Sequence, residues 1–287
     1  MGRGFVAFEQ RFYKMPKVSI VLSTYNRAGL ISNAIESVLK QNFSDWELIV
    51  VDDASTDNTE EIIKQWQIRY PKVIYSKAPE NIGIARNSNR GLRMAKGEYI
   101  AIIDDDDVWI DRDKLKKQVE FLDKNPDYVA TGGGVVVVDK EGKEMFRYLK
   151  PETDEKIREK MLFDNTMANS TTVFRRSIAE KVGLYDENFR YSADRDFFLK
   201  LGLEGKLYNF PEYFANYTMA GQNTSIVKMK EHLRSSLMVM KKYKDNYPHY
   251  GAALIVNRLQ YLYSFLPNFI KSFLHIFLAR LKRFVFR

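Results

Sequence analysis

The chain has 287 residues, of which 45% are hydrophobic and 14% aromatic, so a sizeable hydrophobic core is possible and a wholly disordered protein is excluded. It has no cysteine, which excludes a disulfide scaffold, a cysteine-ligated metal site and cysteine nucleophilic catalysis. The net charge is +8, and five basic residues without an acidic one lie at 266–287, so the rest of the chain is nearly balanced.

Apolar runs alternate with helical patterns over the first hundred residues. Strands are predicted at 18–22, 47–51, 73–75 and 99–103, and helices near 30–39, 62–66 and 84–95. Strands that are apolar on both faces, joined by helices of about ten residues, indicate a parallel sheet covered on both sides. We expect Gly97 to be the C-cap glycine of the third helix. The predicted fold class is α/β.

The pattern is less regular after Asp107. It predicts a helix over 112–124, two strands, three further helices and a largely helical segment from Ser225 with breaks at Pro248 and Pro267. The two strands are expected at 128–130 and 135–138, and the three helices near 154–163, 177–182 and 194–204. The glycines at 132–134 indicate a bend or a close approach of two backbones.

Polar loops follow three of the predicted strands, at 23–27, 52–57 and 104–107. In open parallel sheets, ligands bind beyond the carboxyl ends of the strands, where these loops are expected to lie. Neither a dinucleotide-binding glycine motif nor a P-loop is present. The four consecutive aspartates at 104–107 favour a hard divalent cation, Mg²⁺ or Mn²⁺, bridging to a diphosphate. A solvated loop or a helix N-cap is the structural alternative.

Five segments resemble, in the same order, the motifs of the GT-A-fold family 2 inverting glycosyltransferases. They are residues 18–27, 50–57, 81–87, 97–107 and 193–201. The resemblance covers about residues 16–225 and implies a GT-A domain there, with a Rossmann-like, mixed but mainly parallel sheet flanked by helices. Both ends lie outside the resemblance. The sequence pattern predicts a tail at 1–15 and a C-terminal helical extension at 226–287.

The resemblance also assigns residues to a nucleotide pocket. Ser23, Thr24 and Tyr25 would line the pocket, and Asp53 would accept the uracil N3–H. Arg86, at the start of the third helix, would contact the pyrophosphate or the nucleotide, where helix amides also favour anions. The structural alternatives are strand-end capping for Asp53 and an ordinary exposed arginine for Arg86.

The family's acidic DxD motif corresponds to Asp104, Asp105 and Asp106. The resemblance implies that Asp106 binds Mn²⁺ or Mg²⁺ directly, and that Asp104 or Asp105 contacts the ribose or a metal-bound water.

The general base of the family corresponds to Asp194, whose usual glutamate neighbour is replaced by Ala193. Asp196 is expected to be an N-cap or a supporting group for the following helix. A histidine that often lies near the metal or diphosphate corresponds here to Ala220. The histidines of this chain are too scattered for a ligand set and are expected at the surface: His232, His249 and His275.

The last 22 residues place apolar side chains on one arc of a helical wheel and basic ones opposite. This pattern predicts an amphipathic helix on an anionic membrane, and docking onto the protein itself is the alternative. The sequence shows no spanning segment and no secretory signal. We therefore expect a cytoplasmic protein that is peripheral on the cytoplasmic face of the membrane.

The resemblance implies a metal-dependent inverting transfer of a sugar from a nucleotide sugar, with UDP as the expected nucleotide. The acceptor would be a hydroxyl of a glycan or lipid-linked precursor in surface polysaccharide biosynthesis, with no nucleic acid partner. A sugar nucleotidyltransferase is one alternative, although it would need a glycine-rich basic loop after the first strand. A non-catalytic module that binds membranes or nucleic acid through the basic tail is the other.

Overall fold

The computed structural model describes residues 15–219 and 228–266. In this part of the chain nine strands form one sheet. The strands are β1 (Val18–Thr24), β2 (Trp46–Asp52), β3 (Val73–Lys77), β4 (Tyr99–Asp104), β5 (Val108–Trp109), β6 (Tyr128–Val138), β7 (Glu144–Tyr148), β8 (Val173–Arg175) and β9 (Lys206–Thr218).

Nine α-helices accompany the sheet in the described residues. They are α1 (Ile31–Leu39), α2 (Thr59–Arg69), α3 (Ile84–Met94), α4 (Lys114–Lys124), α5 (Asp154–Lys160), α6 (Arg176–Lys181), α7 (Ala193–Glu204), α8 (Met229–Lys242) and α9 (Tyr250–Tyr263). The helical extension and its break near Pro248 are thus confirmed over 229–263.

The sheet is parallel in one half and mixed in the other. Strands β3, β2, β1 and β4 are parallel neighbours in that order. Next to β4 lie β8, β6, β9 and β5, with β6 and β9 parallel and the other pairs antiparallel. This is the mixed, mainly parallel α/β architecture that the sequence predicted.

Helices cover both faces of the sheet because the strands are apolar on both. In β1, Ile20 packs in one cluster with Ile35 of α1, whereas Val21 packs in the other with Leu92 of α3 and Phe197 of α7. Helices α8 and α9 contribute to the second cluster as well. Among the described residues, no helix combines the length and hydrophobicity that crossing a membrane requires.

Two glycine predictions have different outcomes. Helix α3 ends with Ala95 as its extended cap residue, so the prediction that Gly97 is the C-cap was wrong. Gly97 instead lies where an added Cβ would be 2.5 Å from the Ser19 backbone nitrogen. The close backbone approach predicted at 132–134 is confirmed at Gly134, where an added Cβ would lie 2.9 Å from the Tyr148 carbonyl oxygen. Here the two predicted strands are one, β6.

Candidate active site

The ends of β1, β2 and β4 lie side by side at one edge of the sheet. Ser23 pairs in register with Asp104, and Thr24 pairs with Asp52. Thr24 is buried, whereas Tyr25 is exposed. The three polar loops identified in the sequence therefore open onto one region, at the edge where parallel α/β sheets bind ligands.

Helix α3 supports the end of β1 through a polar network. Asn87 is fully buried, and its Nδ2 donates to Ser23 Oγ and to the Val51 carbonyl, both at 2.8 Å. Its Oδ1 accepts from Arg90 Nη1 at 2.8 Å, and Arg90 Nη2 donates to Ser76 Oγ at 2.8 Å. Neither Arg90 nor a role for Asn87 was predicted from the sequence, although Asn87 lies within the segment 81–87.

Asp53 is buried at the end of β2, where it holds the turn that leads into α3. Its two carboxylate oxygens accept the backbone N–H groups of Ile82 and Gly83 at 2.8 and 2.9 Å. Asp52 accepts from Tyr75 Oη at 2.7 Å and caps the same strand end. Each carboxylate oxygen has a further lone pair, so these backbone contacts leave Asp53 able to accept another hydrogen bond. The uracil contact of Asp53 stays a prediction.

Arg86 is the third residue of α3, and its side chain is 61% exposed. Its Nε lies 3.3 Å from Glu187 Oε2, and Glu187 also pairs with Arg93. The nucleotide contact of Arg86 therefore stays a prediction.

The acidic run is held by a short 3-10 turn, Asn169–Thr171. Asn169 Nδ2 donates to Asp104 Oδ1 at 2.8 Å, and Ser170 Oγ lies 3.1 Å from Asp104 Oδ2. Ser170 Oγ also donates to Asp107, which accepts the Thr218 N–H at 3.3 Å through its other oxygen. Asp107 is thus a buried structural carboxylate, which leaves Asp104, Asp105 and Asp106 as the candidate ligand-binding members.

The carboxyl groups of the acidic run repel one another. Burial, then repulsion by Asp106 and Asp105, raises the pKa of Asp104 to about 7. Burial, then Asp106, raises the pKa of Asp105 to about 7, although Arg27 Nε lies 3.4 Å from Asp105 Oδ1. Burial also raises the pKa of Asp106, and Arg27 opposes this. A bound cation would stabilise the ionised form of this cluster.

The carboxylates of the acidic run could supply some of the ligands of a hard divalent ion. Within 15–219 and 228–266, no three histidine, cysteine, aspartate or glutamate side chains converge to hold a metal ion by themselves. Carboxylate oxygens are nevertheless the ligands that Mg²⁺ and Mn²⁺ prefer, and Mg²⁺ usually combines one or two of them with water and substrate phosphates. The acidic run therefore fits an ion that is shared with a diphosphate.

Asp194 is the second residue of α7. The N-cap residue of this helix, Ser192, has a left-handed backbone with φ 58°. Asn165 Nδ2 donates to Asp194 Oδ2 at 2.7 Å. Tyr185 is buried, and burial, then the charges of Asp194 and Asp104, raises the pKa of its hydroxyl. Tyr185 Oη also donates to Asn169 Oδ1 at 3.4 Å, and Asn169 in turn donates to Asp104, so a hydrogen-bonded path joins this tyrosine to the acidic run.

Asp196 is not an N-cap, because it is the fourth residue of α7 and Ser192 occupies the N-cap position. Its side chain is fully buried, and its Oδ1 accepts from Lys242 Nζ at 2.8 Å and from Tyr243 Oη at 2.9 Å. Asp196 therefore links α7 to the end of α8.

His232 corrects the expectation that all three histidines lie at the surface. It is a half-buried residue in the first turn of α8, and its Nε2 lies 3.5 Å from Ser192 Oγ. Burial lowers the pKa of His232, and the charge of Asp194 opposes this. His232 thus lies beside the start of the helix that carries Asp194, whereas Ala220 and His275 lie outside the described residues.

Residues 19–183, which are more than half of the chain, match the sequence model of glycosyl transferase family 2. The chain belongs to glycosyl transferase family 2. It is a glycosyltransferase, so the non-catalytic binding module considered from the sequence is wrong. The matched range contains the loops after β1, β2 and β4, whereas Asp194 lies beyond its end.

This family 2 enzyme is 29% identical to the putative teichuronic acid biosynthesis glycosyltransferase TuaG of Bacillus subtilis, over 75% of this chain and 84% of TuaG. Its structure is similar to that of S. aureus TarS in complex with UDP-GlcNAc, with a TM-score of 0.65, 19% identity and coverage of 87% of this chain and 73% of that chain. It is also similar to the structure of the mannosyltransferase PcManGT from Pyrobaculum calidifontis in complex with GDP-Man and Mn²⁺. The TM-score is 0.63 and the identity is 20%, and the match covers 86% of this chain and 74% of that chain. At these identities the two structures show the shared GT-A-type fold alone.

Proposed function

We propose that this glycosyltransferase is a metal-dependent inverting enzyme that moves a sugar from a UDP-sugar to a hydroxyl of a glycan or lipid-linked acceptor. The observation that carries the proposal is the position of the buried Tyr185. Its Oη donates to Asn169 Oδ1 at 3.4 Å, and Asn169 Nδ2 donates to Asp104 Oδ1 at 2.8 Å. The charge of Asp194 also helps to raise the pKa of the Tyr185 hydroxyl. This supports one site with a carboxylate for the acceptor and a carboxylate cluster for the donor diphosphate.

The donor nucleotide would bind at the ends of β1 and β2. Ser23, Thr24 and Tyr25 would line its pocket, and Asp53 would accept the uracil N3–H with a remaining lone pair. Arg86, exposed in the first turn of α3, would contact the pyrophosphate or the nucleotide. The complex of TarS with UDP-GlcNAc, on the same fold, supports a UDP-sugar as donor.

The acidic run would bind the metal ion. Asp106 would be the direct ligand of Mn²⁺ or Mg²⁺, and Asp104 or Asp105 would contact the ribose or a metal-bound water. When bound, the ion supplies Lewis-acid stabilisation of the charge on the departing diphosphate. The Mn²⁺ complex of PcManGT supports a divalent cofactor on this fold.

Asp194 would be the general base. It takes the proton of the acceptor hydroxyl while that oxygen attacks the anomeric carbon opposite the diphosphate. The new bond forms from the acceptor oxygen to the anomeric carbon, and the bond from that carbon to the diphosphate oxygen breaks. The centre is inverted and no covalent intermediate is needed. Since Asn165 holds Oδ2, we assign proton uptake to Oδ1.

The pathway and location follow from the acceptor class. The name of TuaG refers to teichuronic acid biosynthesis, which supports a role in polysaccharide biosynthesis for this chain. We propose a cytoplasmic enzyme that is peripheral on the cytoplasmic face of the membrane, with no nucleic acid partner.

Calorimetric titration of UDP, with Mn²⁺ and with EDTA, tests the donor and metal assignments. Asp106→Asn should weaken metal-dependent UDP binding by at least about tenfold and nearly abolish transfer, with an unchanged melting temperature. Glu120→Gln, an exposed carboxylate on α4, is the matched control and should change neither. If neither EDTA nor Asp106→Asn alters UDP binding, the metal assignment is wrong.

A further inference from the structure

Helix α9 presents an apolar face to solvent. Its opposite face is buried, and there Asn257 Nδ2 donates to the Leu162 carbonyl at 3.2 Å. Side chains spaced three and four residues apart share one face of a helix. The exposed row has this spacing, and its members are 53–62% exposed: Ile255, Leu259, Leu262 and Phe265.

Cations surround this apolar row. Arg258 is exposed within the row, and Lys230 Nζ of α8 lies 4.6 Å from the centre of the Phe265 ring. Lys230, Arg234 and Lys241 are exposed at positions of α8 that share one face. We call these residues together the basic-apolar face: Lys230, Arg234, Lys241, Ile255, Arg258, Leu259, Leu262 and Phe265.

The positive charge of the whole chain lies in the same region. Residues 228–287 contain twelve Lys and Arg and two Asp and Glu, whereas residues 1–227 contain 33 and 35. The part of the chain that contains the candidate active-site carboxylates is therefore slightly acidic, and the net charge of +8 comes entirely from the C-terminal part.

We propose that the basic-apolar face of α8 and α9 binds an anionic membrane surface. Apolar side chains would enter the boundary between headgroups and acyl chains, while the cations contact anionic headgroups. This assigns membrane binding to described helices, in addition to the amphipathic pattern predicted at 266–287.

Charge decides between a membrane and the other possible occupants of this face. A second copy bound through the same face would bring two faces of the same positive charge together. Residues 267–287 have five basic residues and no acidic one, so their docking here would also bring like charges together. An anionic lipid surface covers the apolar row and neutralises the cations.

If the proposed function is correct, the membrane lies one helix away from the start of α7. His232 of α8 lies 3.5 Å from Ser192, the N-cap residue of the helix that carries Asp194. By helical spacing His232 is on the face of α8 opposite Lys230 and Arg234, so the thickness of α8 would separate a bound membrane from Ser192. This arrangement suits a lipid-linked acceptor.

Co-sedimentation of the full chain with vesicles tests membrane binding. The vesicles are equimolar phosphatidylglycerol and phosphatidylcholine, with pure phosphatidylcholine as the neutral comparison. The double variant Ile255→Gln/Leu259→Gln should lower partitioning by at least about tenfold. Ile68→Gln/Met145→Gln, which removes two exposed apolar residues from α2 and β7, should bind as the wild type does.

The charge component is tested separately. Arg258→Gln should weaken binding about fivefold, and raising the salt from about 0.1 M to about 0.5 M should weaken binding of the unmodified chain by screening. Binding to neutral vesicles should be much weaker than to anionic ones.

Unchanged partitioning of the Ile255→Gln/Leu259→Gln variant would overturn the proposal. Sedimentation velocity then tests a second copy as the occupant. If the wild type is a dimer and this variant is a monomer, while partitioning is unchanged, the face binds a second copy. A lower melting temperature with unchanged partitioning would assign it to residues 267–287. UDP binding by the same variants should equal that of the wild type. Failure of the membrane proposal would thus be seen in vesicle binding, and failure of the proposed function would be seen in UDP binding.

Discussion

Asp194 depends on a neutral neighbour for its position. The amide of Asn165 donates to one carboxylate oxygen at 2.7 Å, and this contact leaves the other oxygen for the proposed proton uptake. Polar contacts of this kind orient a catalytic carboxylate without touching the substrate.

Asn165→Ala should therefore lower kcat by about 10- to 100-fold, since a misplaced base loses much of its effect. The KM for the donor should stay within about twofold, because Asn165 belongs to the acceptor end of the site. Steady-state kinetics with varied UDP-sugar check both constants, and the exposed Asn246→Ala is the control. An unchanged kcat would show that Asn165 does not position the base.

Charged site residues could be predicted from the sequence more readily than neutral ones. Asp104 and Asp53 follow apolar strands, so their place at the sheet edge is implied by the strand pattern. Asn165, Asn169 and Ser170 lie in a segment without periodicity, and only the tertiary structure brings them to the carboxylates. The family resemblance did not cover these supporting residues either.

Among the secondary structure elements, the contact between α7 and α8 joins the helix that carries Asp194 to the C-terminal helices. Asp196→Ala leaves Lys242 Nζ and Tyr243 Oη without their buried acceptor. We expect the free energy of unfolding to fall by about 3 kcal/mol. Urea denaturation measures this, and the exposed Asp245→Ala on the α8–α9 connection is the control. A loss below about 0.5 kcal/mol would contradict the proposed link.

The connection between α3 and β4 gives a second prediction. An alanine Cβ at Gly97 would lie 2.5 Å from the Ser19 backbone nitrogen, whereas a Cβ at Gly251 of α9 would meet nothing within 4 Å. Gly97→Ala should destabilise the protein by about 1–3 kcal/mol. Gly251→Ala should be neutral or stabilising by up to about 1 kcal/mol. Equal melting temperatures for the two variants would contradict the close backbone approach.

The two halves of the sheet differed in how far they could be predicted. Strands β1, β2 and β4 are buried apolar runs with nearby helical patterns, which explains their prediction. Strand β9 contains Pro211 and polar residues, and it pairs with the distant β6 through a shifted register that passes from Gly133–Phe210 to Gly134–Tyr213. A proline and an irregular pairing interrupt the regular pattern of a strand, so such a strand is difficult to predict from the periodicity of the sequence.

At the scale of the whole molecule, a slightly acidic part that contains the candidate site is joined to a strongly basic C-terminal part. Among the described residues, the buried hydrophobic side chains extend from Val18 to Ala253. A chain that ends at Leu266 should keep its cooperative thermal unfolding and its UDP affinity within about twofold. Differential scanning calorimetry and UDP titration check this. Loss of folding would instead support docking of residues 267–287 onto the protein.

We propose that Asp194 acts as the base in a site whose donor end is formed by the acidic run. Transfer rate and UDP affinity should be compared for the wild type and for Asp194→Asn, which keeps the shape of the side chain but cannot take the proton. We expect unchanged UDP affinity and a rate lower by about 10²–10⁴, whereas Asp196→Asn should keep most of its activity. An active Asp194→Asn enzyme would show that Asp194 is not the base.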